Sequence, residues 1–286
     1  MGAMGRCQLG MRTLTMAAGR TFGVRMRTPI FQIDAFASRR FSGNPAAVMP
    51  MEQFPAEGVM QAIAEENNLA ETAFIVPQGR DYQIRWFTPA NEVPLCGHAT
   101  LASAAVVMER LEPDRDSVTF HSASGPLVIR RALQGYAMDF PARHVMTAPT
   151  APALRQALGI DISAAAADDR NYLVRLDSAA AVRGLRPDFA AVAALDRLGV
   201  IVTAQGEAPY DFVSRYFAPA QGVPEDPVTG SAHCALAPYW AVILGKSEFL
   251  AFQASRRGGE VSCKVSGDRV ELAGTCVLYL EGQAEI

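Results

Sequence analysis

The sequence contains little charge and no strong excess of either sign. Asp, Glu, Lys and Arg make up 19% of its 286 residues, and the formal net charge is −3. Without a basic excess there is no electrostatic reason to expect a nucleic acid or an anionic membrane as a partner. The chain also lacks an uninterrupted apolar run of the roughly 18–20 residues that a membrane-spanning helix needs. A membrane span is therefore not predicted.

Cysteine is scarce and shows no pairing pattern. The five cysteines are odd in number, and no two of them are spaced as C-x-x-C. A reduced, intracellular chain in the cytoplasm is the simplest interpretation. The cysteines are Cys7, Cys96, Cys234, Cys263 and Cys276.

Motifs for metals and nucleotides are missing as well. No H-x-x-x-H pair and no cluster of Cys and His has the spacing of metal ligands, so no metal site is predicted. No G-x-G-x-x-G follows the first predicted strand, and no G-x-x-x-x-G-K-[ST] occurs. These absences leave no motif for a metal or nucleotide cofactor.

Apolar residues are plentiful, at 50% of the chain. That fraction excludes a disordered protein and supplies enough material for two cores. The length fits two domains of ordinary size or one large domain.

The first 26 residues differ from the rest. Up to Arg27 the chain carries five arginines and no acidic residue, which is the composition of an organelle presequence. The alternative is an upstream start codon or a vector-derived extension, with Met26 as the natural beginning. Because the segment lacks a continuous apolar stripe, we favour the extension and expect residues 1–26 to lie outside the fold.

One stretch of the sequence occurs twice. Residues 85–90 read RWFTPA and residues 215–220 read RYFAPA, and each copy is followed by Val-Pro, at 93–94 and 223–224. Both copies predict a strand, a Pro-marked turn, a Gly loop and an apolar helix. A repeat of this length at a constant offset of 130 residues predicts two similar halves.

The two loops differ in their polar residues. The constant offset places Cys96 opposite Asp226, and three extra residues, 227–229, then bring Gly230 opposite Gly97. His98 consequently lies opposite Ser231.

Hydrophobic periodicity predicts many short strands, among them 31–37, 72–76 and 82–87. Each half also contains one strongly apolar helix, from about 97 to 111 and from 235 to 244. We therefore predict an α+β fold in which each half is a mostly antiparallel sheet around a central helix.

The character of the chain changes between 141 and 167, where Ala, Pro and short polar residues predict a linker and a helix at 151–158. We place the domain boundary there, which gives halves at 27–142 and 143–286. The last strand can cross back to the first domain.

The two Gly loops are candidate anion sites. A loop that enters a helix N-terminus directs backbone N–H groups along the positive end of the helix dipole, and glycine lets a ligand approach closely. The alternative is that Gly97 and Gly230 only make turns. Duplication favours a site, because one loop carries His98 and the other carries Asp226 and Ser231.

Side chains for proton transfer are few. Of the four histidines, His98 and His233 lie at the loops, whereas His121 and His144 occupy ordinary positions and predict structural roles. Glu71 lies in an otherwise apolar stretch, where it is either capped by local backbone or held at a pocket to shuttle a proton. From the residue types alone, the local cap is the simpler interpretation.

Five motifs occur in order along the chain. They are NPAA at 44–47, NLAETAF at 68–74, RWFTP at 85–89, CGHAT at 96–100 and EDPVTGSA at 225–232. Together they resemble the PhzF-like isomerase and epimerase family, named for phenazine biosynthesis, which shares the diaminopimelate epimerase fold. The resemblance runs from about residue 30 to the C-terminus.

This resemblance implies two pseudo-symmetric domains, each a β-barrel-like sheet around a central helix, with the active site in the cleft between them. It also implies a proton shift without cofactor. Carried over by motif, Glu71 corresponds to the family's proton-transferring glutamate. His98 and Asp226 correspond to residues that line the site and bind the substrate. The predicted substrate-binding residues are Asn44, Cys96, Gly97, Gly230 and Ser231.

We therefore predict an isomerase that moves a proton between carbons of a small carboxylate-bearing metabolite. Two alternatives remain at this stage: a racemase or epimerase that uses Cys96 as a base, and a family member that binds a small molecule without turnover. In related amino-acid epimerases two facing cysteines act as acid and base, but here Asp226 stands opposite Cys96. A homodimer is the default assembly. The sequence does not identify the substrate.

Overall fold

The computed structural model describes residues 27–286. The segment 1–26, for which an extension or a presequence was considered, lies outside the described residues, as does Cys7. Among the described residues, no helix combines the length and the apolar character that crossing a membrane requires.

Short strands account for most of the regular structure. In chain order they are β1 (Arg27–Ala35), β2 (Asn44–Pro50), β3 (Glu71–Gln78), β4 (Asp81–Phe87), β5 (Glu92–Val93), β6 (Ser117–Ser122), β7 (Gly125–Arg131), β8 (Tyr136–Pro141), β9 (Met146–Ala148), β10 (Ala165–Ala167), β11 (Asn171–Arg175), β12 (Gly199–Gln205), β13 (Phe212–Ala218), β14 (Val223–Asp226), β15 (Glu248–Gln253), β16 (Gly259–Ser266), β17 (Arg269–Gly274) and β18 (Cys276–Glu285).

The helices are fewer. They are α1 (Glu57–Asn67), α2 (Gly97–Val106), α3 (Pro152–Leu158), α4 (Ala179–Gly184), α5 (Phe189–Ala193) and α6 (Gly230–Leu244). A π-helical turn, Val107–Leu111, continues α2, and a 3₁₀ turn, Pro219–Gln221, precedes β14.

The strand pairings repeat between the two halves. In the first half the neighbours run β18, β1, β2, β3, β4, β6, β7, β8. In the second they run β9, β10, β11, β12, β13, β15, β16, β17. Each half has two parallel pairs at corresponding places, β2–β3 with β4–β6 and β11–β12 with β13–β15. The remaining pairs are antiparallel, so the predicted α+β fold of two pseudo-symmetric, mostly antiparallel halves is confirmed.

The two helices that follow the repeated strands are buried over most of their length. Nine of the ten residues of α2 are buried, and α6 is buried from Gly230 to Pro238 except for Ser231. A helix that is apolar all round belongs inside a core rather than on a surface. The two helices therefore hold the central positions predicted for them.

The halves share one core and two strand junctions. β8 pairs antiparallel with β17, and β18 pairs antiparallel with β1 along the length of β1. Buried residues from both central helices belong to the same apolar cluster. The division at residues 142 and 143 stays a prediction, because the junctions bind the halves into one continuous sheet.

Two local expectations differ from the structure. The stretch 141–167 contains β9 and β10, which pair with each other, in addition to the predicted helix, present as Pro152–Leu158. Strands of three residues are too short to leave a periodic pattern. Helix α6 begins at Gly230 rather than near residue 235, because the loop glycine and the residues after it form its first turn.

Leu272 of β17 tests the junction between the halves. It is fully buried, opposite Met138 of β8. Leu272→Ala is expected to lower the free energy of unfolding by about 2–5 kcal/mol, because it leaves a cavity in the shared core. Urea denaturation measures the change. The control Leu280→Ala removes a leucine that is 43% exposed in β18 and is expected to cost about 0.5 kcal/mol or less. Equal losses would contradict the shared core.

Candidate active site

All eight predicted site residues lie at an end of a strand or helix. They are Asn44 at the start of β2, Glu71 at the start of β3, Cys96 as N-cap of α2, Gly97 and His98 as the first residues of α2, Asp226 at the end of β14, and Gly230 and Ser231 as the first residues of α6. The parallel pairing of β2 with β3, which places Ala46 opposite Glu71, starts both strands at one edge of the sheet. The fold thus gathers residues that are far apart in sequence.

Glu71 and His98 form a close pair. Glu71 Oε2 lies 3.0 Å from His98 Nε2, and both side chains are largely buried. Neither atom has a partner in hydrogen-bond geometry among the described residues. We therefore describe the pair as an ionic contact that is not an aligned hydrogen bond. Both atoms remain able to bond a third group.

The other ring nitrogen of His98 faces Cys96 and Asn44. Cys96 Sγ lies 3.5 Å and Asn44 Nδ2 lies 3.2 Å from His98 Nδ1. The imidazole is thus held between a carboxylate on one side and a thiol and an amide on the other.

Asn44 connects this pair to the second half. Its Nδ2 donates to Asp226 Oδ1 at 2.7 Å and to the carbonyl of Val228 at 2.9 Å. An amide nitrogen has two hydrogens, so when both of these bonds form none is left for His98 Nδ1. Asn44 is fully buried, and its Oδ1 has no partner among the described residues.

Two residues that sequence reasoning missed support Asp226. Thr229 Oγ1 donates to Asp226 Oδ2 at 2.5 Å. Gln253 Nε2 donates to the Asp226 carbonyl at 2.8 Å and to Thr229 Oγ1 at 3.1 Å, and Gln253 Oε1 accepts from Thr229 N at 2.9 Å. In the sequence, Gln253 could have been noticed only as the polar residue that ends the otherwise apolar stretch 249–253. It is fully buried, so the Asp226 loop rests on a rigid support.

Burial and charge set the protonation of the cluster. Burial works to lower the pKa of His98, but Cys96 and Glu71 outweigh it and hold that pKa well above its ordinary value. Burial raises the pKa of the Cys96 thiol to about 11, with a contribution from Glu71. Burial also raises the pKa of Asp226 to about 6, opposed by His98 and assisted by Glu71. At neutral pH Cys96 is therefore a neutral thiol, and the negative charge that favours a cationic His98 is that of Glu71.

The N-termini of α2 and α6 correct one detail of the alignment between the two copies of the repeat. Cys96 is the N-cap of α2, and Thr229 is the N-cap of α6. By helix position Cys96 therefore corresponds to Thr229, whereas the constant offset had placed it opposite Asp226. The three extra residues lie ahead of the helix, so Asp226 comes three residues before Thr229, the position that corresponds to Cys96. On either alignment, no second thiol stands opposite Cys96.

Glu71, Cys96 and His98 offer ligand atoms within 4.8 Å of one another, as a metal site would. The sequence did not predict this group, because Glu71 lies on a strand remote from the other two. In this arrangement Glu71 contacts Nε2 of the ring while Cys96 contacts Nδ1, so the three side chains pair with one another. The expectation of no metal stays a prediction.

The other histidines do not join the cluster. His121 and His144 are exposed. His233 is buried in α6, where its Nδ1 lies 2.8 Å from the Thr229 carbonyl and can donate to it. Burial lowers the pKa of His233 to about 4, so the ring is neutral at pH 7 and acts within the helix rather than at the site.

Known proteins give a consistent comparison. The family described as phenazine biosynthesis-like protein, PhzC-PhzF, matches residues 33–282. An uncharacterized isomerase from Pseudomonas aeruginosa is 49% identical over 261 residues, covering 91% of this chain and 100% of that protein. The crystal structure of a PhzF-family protein from Enterococcus faecalis has a TM-score of 0.88 at 44% identity, covering 91% of this chain and 100% of that one.

A more distant structure shares the architecture. The hydroxyproline epimerase of Agrobacterium vitis has a TM-score of 0.57 at 12% identity, covering 91% of this chain and 93% of that one, and this likeness concerns the fold alone. The relatives named as isomerases support an isomerase-type enzyme. The chain belongs to the phenazine biosynthesis-like protein family, as the five sequence motifs predicted.

The buried His233 leads to a prediction about how the free energy of unfolding depends on pH in acid. Its pKa in the folded chain, about 4, lies below the ordinary value of 6.5. Between pH 4 and pH 6.5, His233 is therefore mostly protonated in the unfolded chain and mostly neutral in the folded chain. This group therefore reduces stability as pH falls from 6.5 to 4, by about 3 kcal/mol at the lower end. His233→Asn does not titrate but keeps a donor for Thr229. Its free energy of unfolding, measured in urea, is expected to fall less steeply over that window.

Wild type is the reference for this comparison, since His98 and Asp226 titrate in both proteins and cancel in the difference. Parallel pH curves for wild type and His233→Asn would show that His233 does not carry the effect.

Proposed function

We propose that this chain is a cofactor-independent isomerase that moves a proton between carbons of a small, carboxylate-bearing metabolite, with Glu71 as the proton carrier. One observation carries the proposal: Glu71 lies 3.0 Å from His98, and Asn44, which is in contact with His98, donates to Asp226 of the other half. These groups form one buried cluster of acid, base and hydrogen-bond donor.

Glu71 suits proton transfer because its Oε2 is buried and lacks an aligned hydrogen bond. As a carboxylate it takes a proton from a carbon whose C–H bond is acidified by a neighbouring carbonyl or double bond. The electron pair that is left spreads onto that neighbouring group. Glu71, now a carboxylic acid, returns the proton to a different carbon, so the reaction consumes no oxidant, reductant or co-reactant.

His98 and Asp226 handle the charge that develops in this reaction. A cationic His98 beside Glu71 stabilises the anion formed when the proton leaves carbon. Asp226, with a pKa of about 6, changes protonation near neutral pH. It can accept a hydrogen bond from the substrate as a carboxylate or donate one as a carboxylic acid. Fixed charges in a site from which water is excluded act more strongly than in solution.

The starts of α2 and α6 are suited to the substrate carboxylate. A methyl group added at Gly97 or Gly230 would meet protein atoms only at 3.7 Å or beyond, so protein packing does not require glycine at either position. Neither glycine has a positive φ angle. Close approach of a ligand to the backbone N–H groups accounts for both. Ser231 is exposed beside Gly230 and adds a hydroxyl.

Glu71→Gln tests the proton carrier. Small carboxylates with an acidified C–H bond are first screened by thermal shift, and each ligand found is incubated with wild type in D₂O and followed by NMR. For a substrate found this way, Glu71→Gln is expected to reduce deuterium incorporation by about 10²–10⁴-fold, because an amide cannot take the proton.

The matched control is Glu66→Gln, which neutralises an exposed carboxylate on α1 and is expected to keep the wild-type rate. Undiminished exchange in Glu71→Gln would refute the assignment of Glu71. Ligands that bind wild type with no exchange or isomerisation would instead favour the non-catalytic alternative.

Cys96 distinguishes this proposal from the thiol-dependent racemase. A thiol base is expected to be indispensable, whereas here the pKa of Cys96 is raised to about 11 and its Sγ faces His98. Cys96→Ala is therefore expected to retain deuterium exchange within about tenfold of wild type. Cys263→Ala, which removes a thiol also buried in the core, controls for lost packing. A loss of 10²–10⁴-fold in Cys96→Ala alone would favour the racemase.

A further inference from the structure

Two turns from opposite halves pack against each other behind the candidate site. The turn at 36–43 joins β1 to β2, and the turn at 254–258 joins β15 to β16. Gly43 N donates to the Gly258 carbonyl, and Glu260 N donates to the Phe36 carbonyl. Gly43 has a φ of +67°, and a methyl group there would meet the Ala35 carbonyl oxygen at 2.2 Å. The turn that joins β1 to β2 therefore requires glycine at this position.

Arg257 lies at the centre of this contact. Its Nη2 lies 2.7 Å from Asp34 Oδ1 and donates to it. Its Nε donates to the Gly43 carbonyl at 2.8 Å, and its Nη2 also approaches the Ser42 carbonyl at 3.1 Å. One guanidinium from the second half thus holds both the end of β1 and the backbone that leads into β2.

Asp34 is buried almost completely, with 2% of its side chain exposed. Its second oxygen, Oδ2, accepts from Phe41 N at 2.9 Å, so both oxygens are used. A buried carboxylate is costly unless it is paired and hydrogen-bonded. Here the pairing partner comes from the other half, which makes the contact between the halves a condition for burying Asp34.

Both turns connect directly to the site. Gly43, which Arg257 holds, is followed by Asn44. The Ser255 hydroxyl, in the same turn as Arg257, donates to the Pro227 carbonyl at 2.8 Å, and Pro227 follows Asp226. The turn at 254–258 therefore hydrogen-bonds to Gly43 and Pro227, the sequence neighbours of Asn44 and Asp226. Asn44 and Asp226 in turn hydrogen-bond to each other across the halves.

We propose that Arg257, paired with Asp34, is a positioning residue that fixes the contact between Asn44 and Asp226 and so sets the distance between the two sides of the site. It touches none of the cluster side chains and acts through the backbone of Gly43 and through its own turn. The inference does not depend on which substrate the enzyme takes.

The test reads the titration of His98 in the ligand-free full chain. The ring nitrogens of the four histidines are labelled with ¹⁵N and followed by NMR as pH changes, with exposed His121 and His144 as internal references. The ionisable groups that act on His98 are Cys96 beside it, Glu71 from β3 and Asp226 from β14.

The variants Asp34→Asn and Arg257→Gln separate positioning from direct charge effects. If the pair positions the site, each variant loosens the cluster and admits water, and the pKa of His98 falls toward its ordinary value in both. If only direct charge mattered, the two would move in opposite directions, since losing a negative charge lowers the pKa of a histidine and losing a positive charge raises it. Opposite movements would overturn the proposal.

Matched variants distinguish a positioning role from a purely structural one. Asp81 accepts from Thr119 N and pairs with Arg115, which also donates to a backbone carbonyl, all within the first half. Asp81→Asn is expected to lower the unfolding midpoint without moving the His98 titration. Arg257→Lys keeps the charge but cannot hold Asp34 and Gly43 with one planar group, and is expected to fold and to shift His98 downward. An unchanged His98 titration in Arg257→Lys and Asp34→Asn would overturn the proposal.

Discussion

The candidate site depends on one amide group. Asn44 divides its two N–H hydrogens between Asp226 and the Val228 carbonyl, both from the half to which Asn44 itself does not belong. The same nitrogen is in contact with His98. Asn44 is buried and cannot exchange these partners for water. Any change in the relative position of the halves therefore changes the shape of the site. Whatever separates the halves also separates the groups proposed to carry out the reaction.

The scaffold is duplicated, but its chemistry is not. Each half supplies the same order of strands and one buried helix that begins at a glycine. The first half adds the carboxylate, imidazole and thiol of Glu71, His98 and Cys96. The second adds Asp226 on a support of Thr229 and Gln253. The first half therefore contains the groups proposed to move the proton, and the second contains Asp226, which is proposed to bind the substrate.

Much of this could be predicted from the sequence, because the repeat and the hydrophobic period each report local structure. The strands around the repeat, the two apolar helices and the grouping of Glu71, His98 and Asp226 by family motif belong to this part. The rest of the site depends on contacts between residues that are far apart in the sequence. Arg257 and Asp34 are 223 residues apart, and no periodicity relates them. Gln253 resembles any polar end of a strand until its partner Thr229 is seen beside it.

The pairing of β18 with β1 bears on how the protein is made. Strands β9 to β17 form a continuous segment of the chain, so the second sheet can assemble from neighbours in sequence. The first sheet receives its outer strand only from residues 276–285, which are synthesised after all the other strands of both sheets. Pairings between distant segments are slow to form. During synthesis, β1 therefore exposes an unpaired edge for longer than any strand of the second half, and nascent chains are most open to wrong association there.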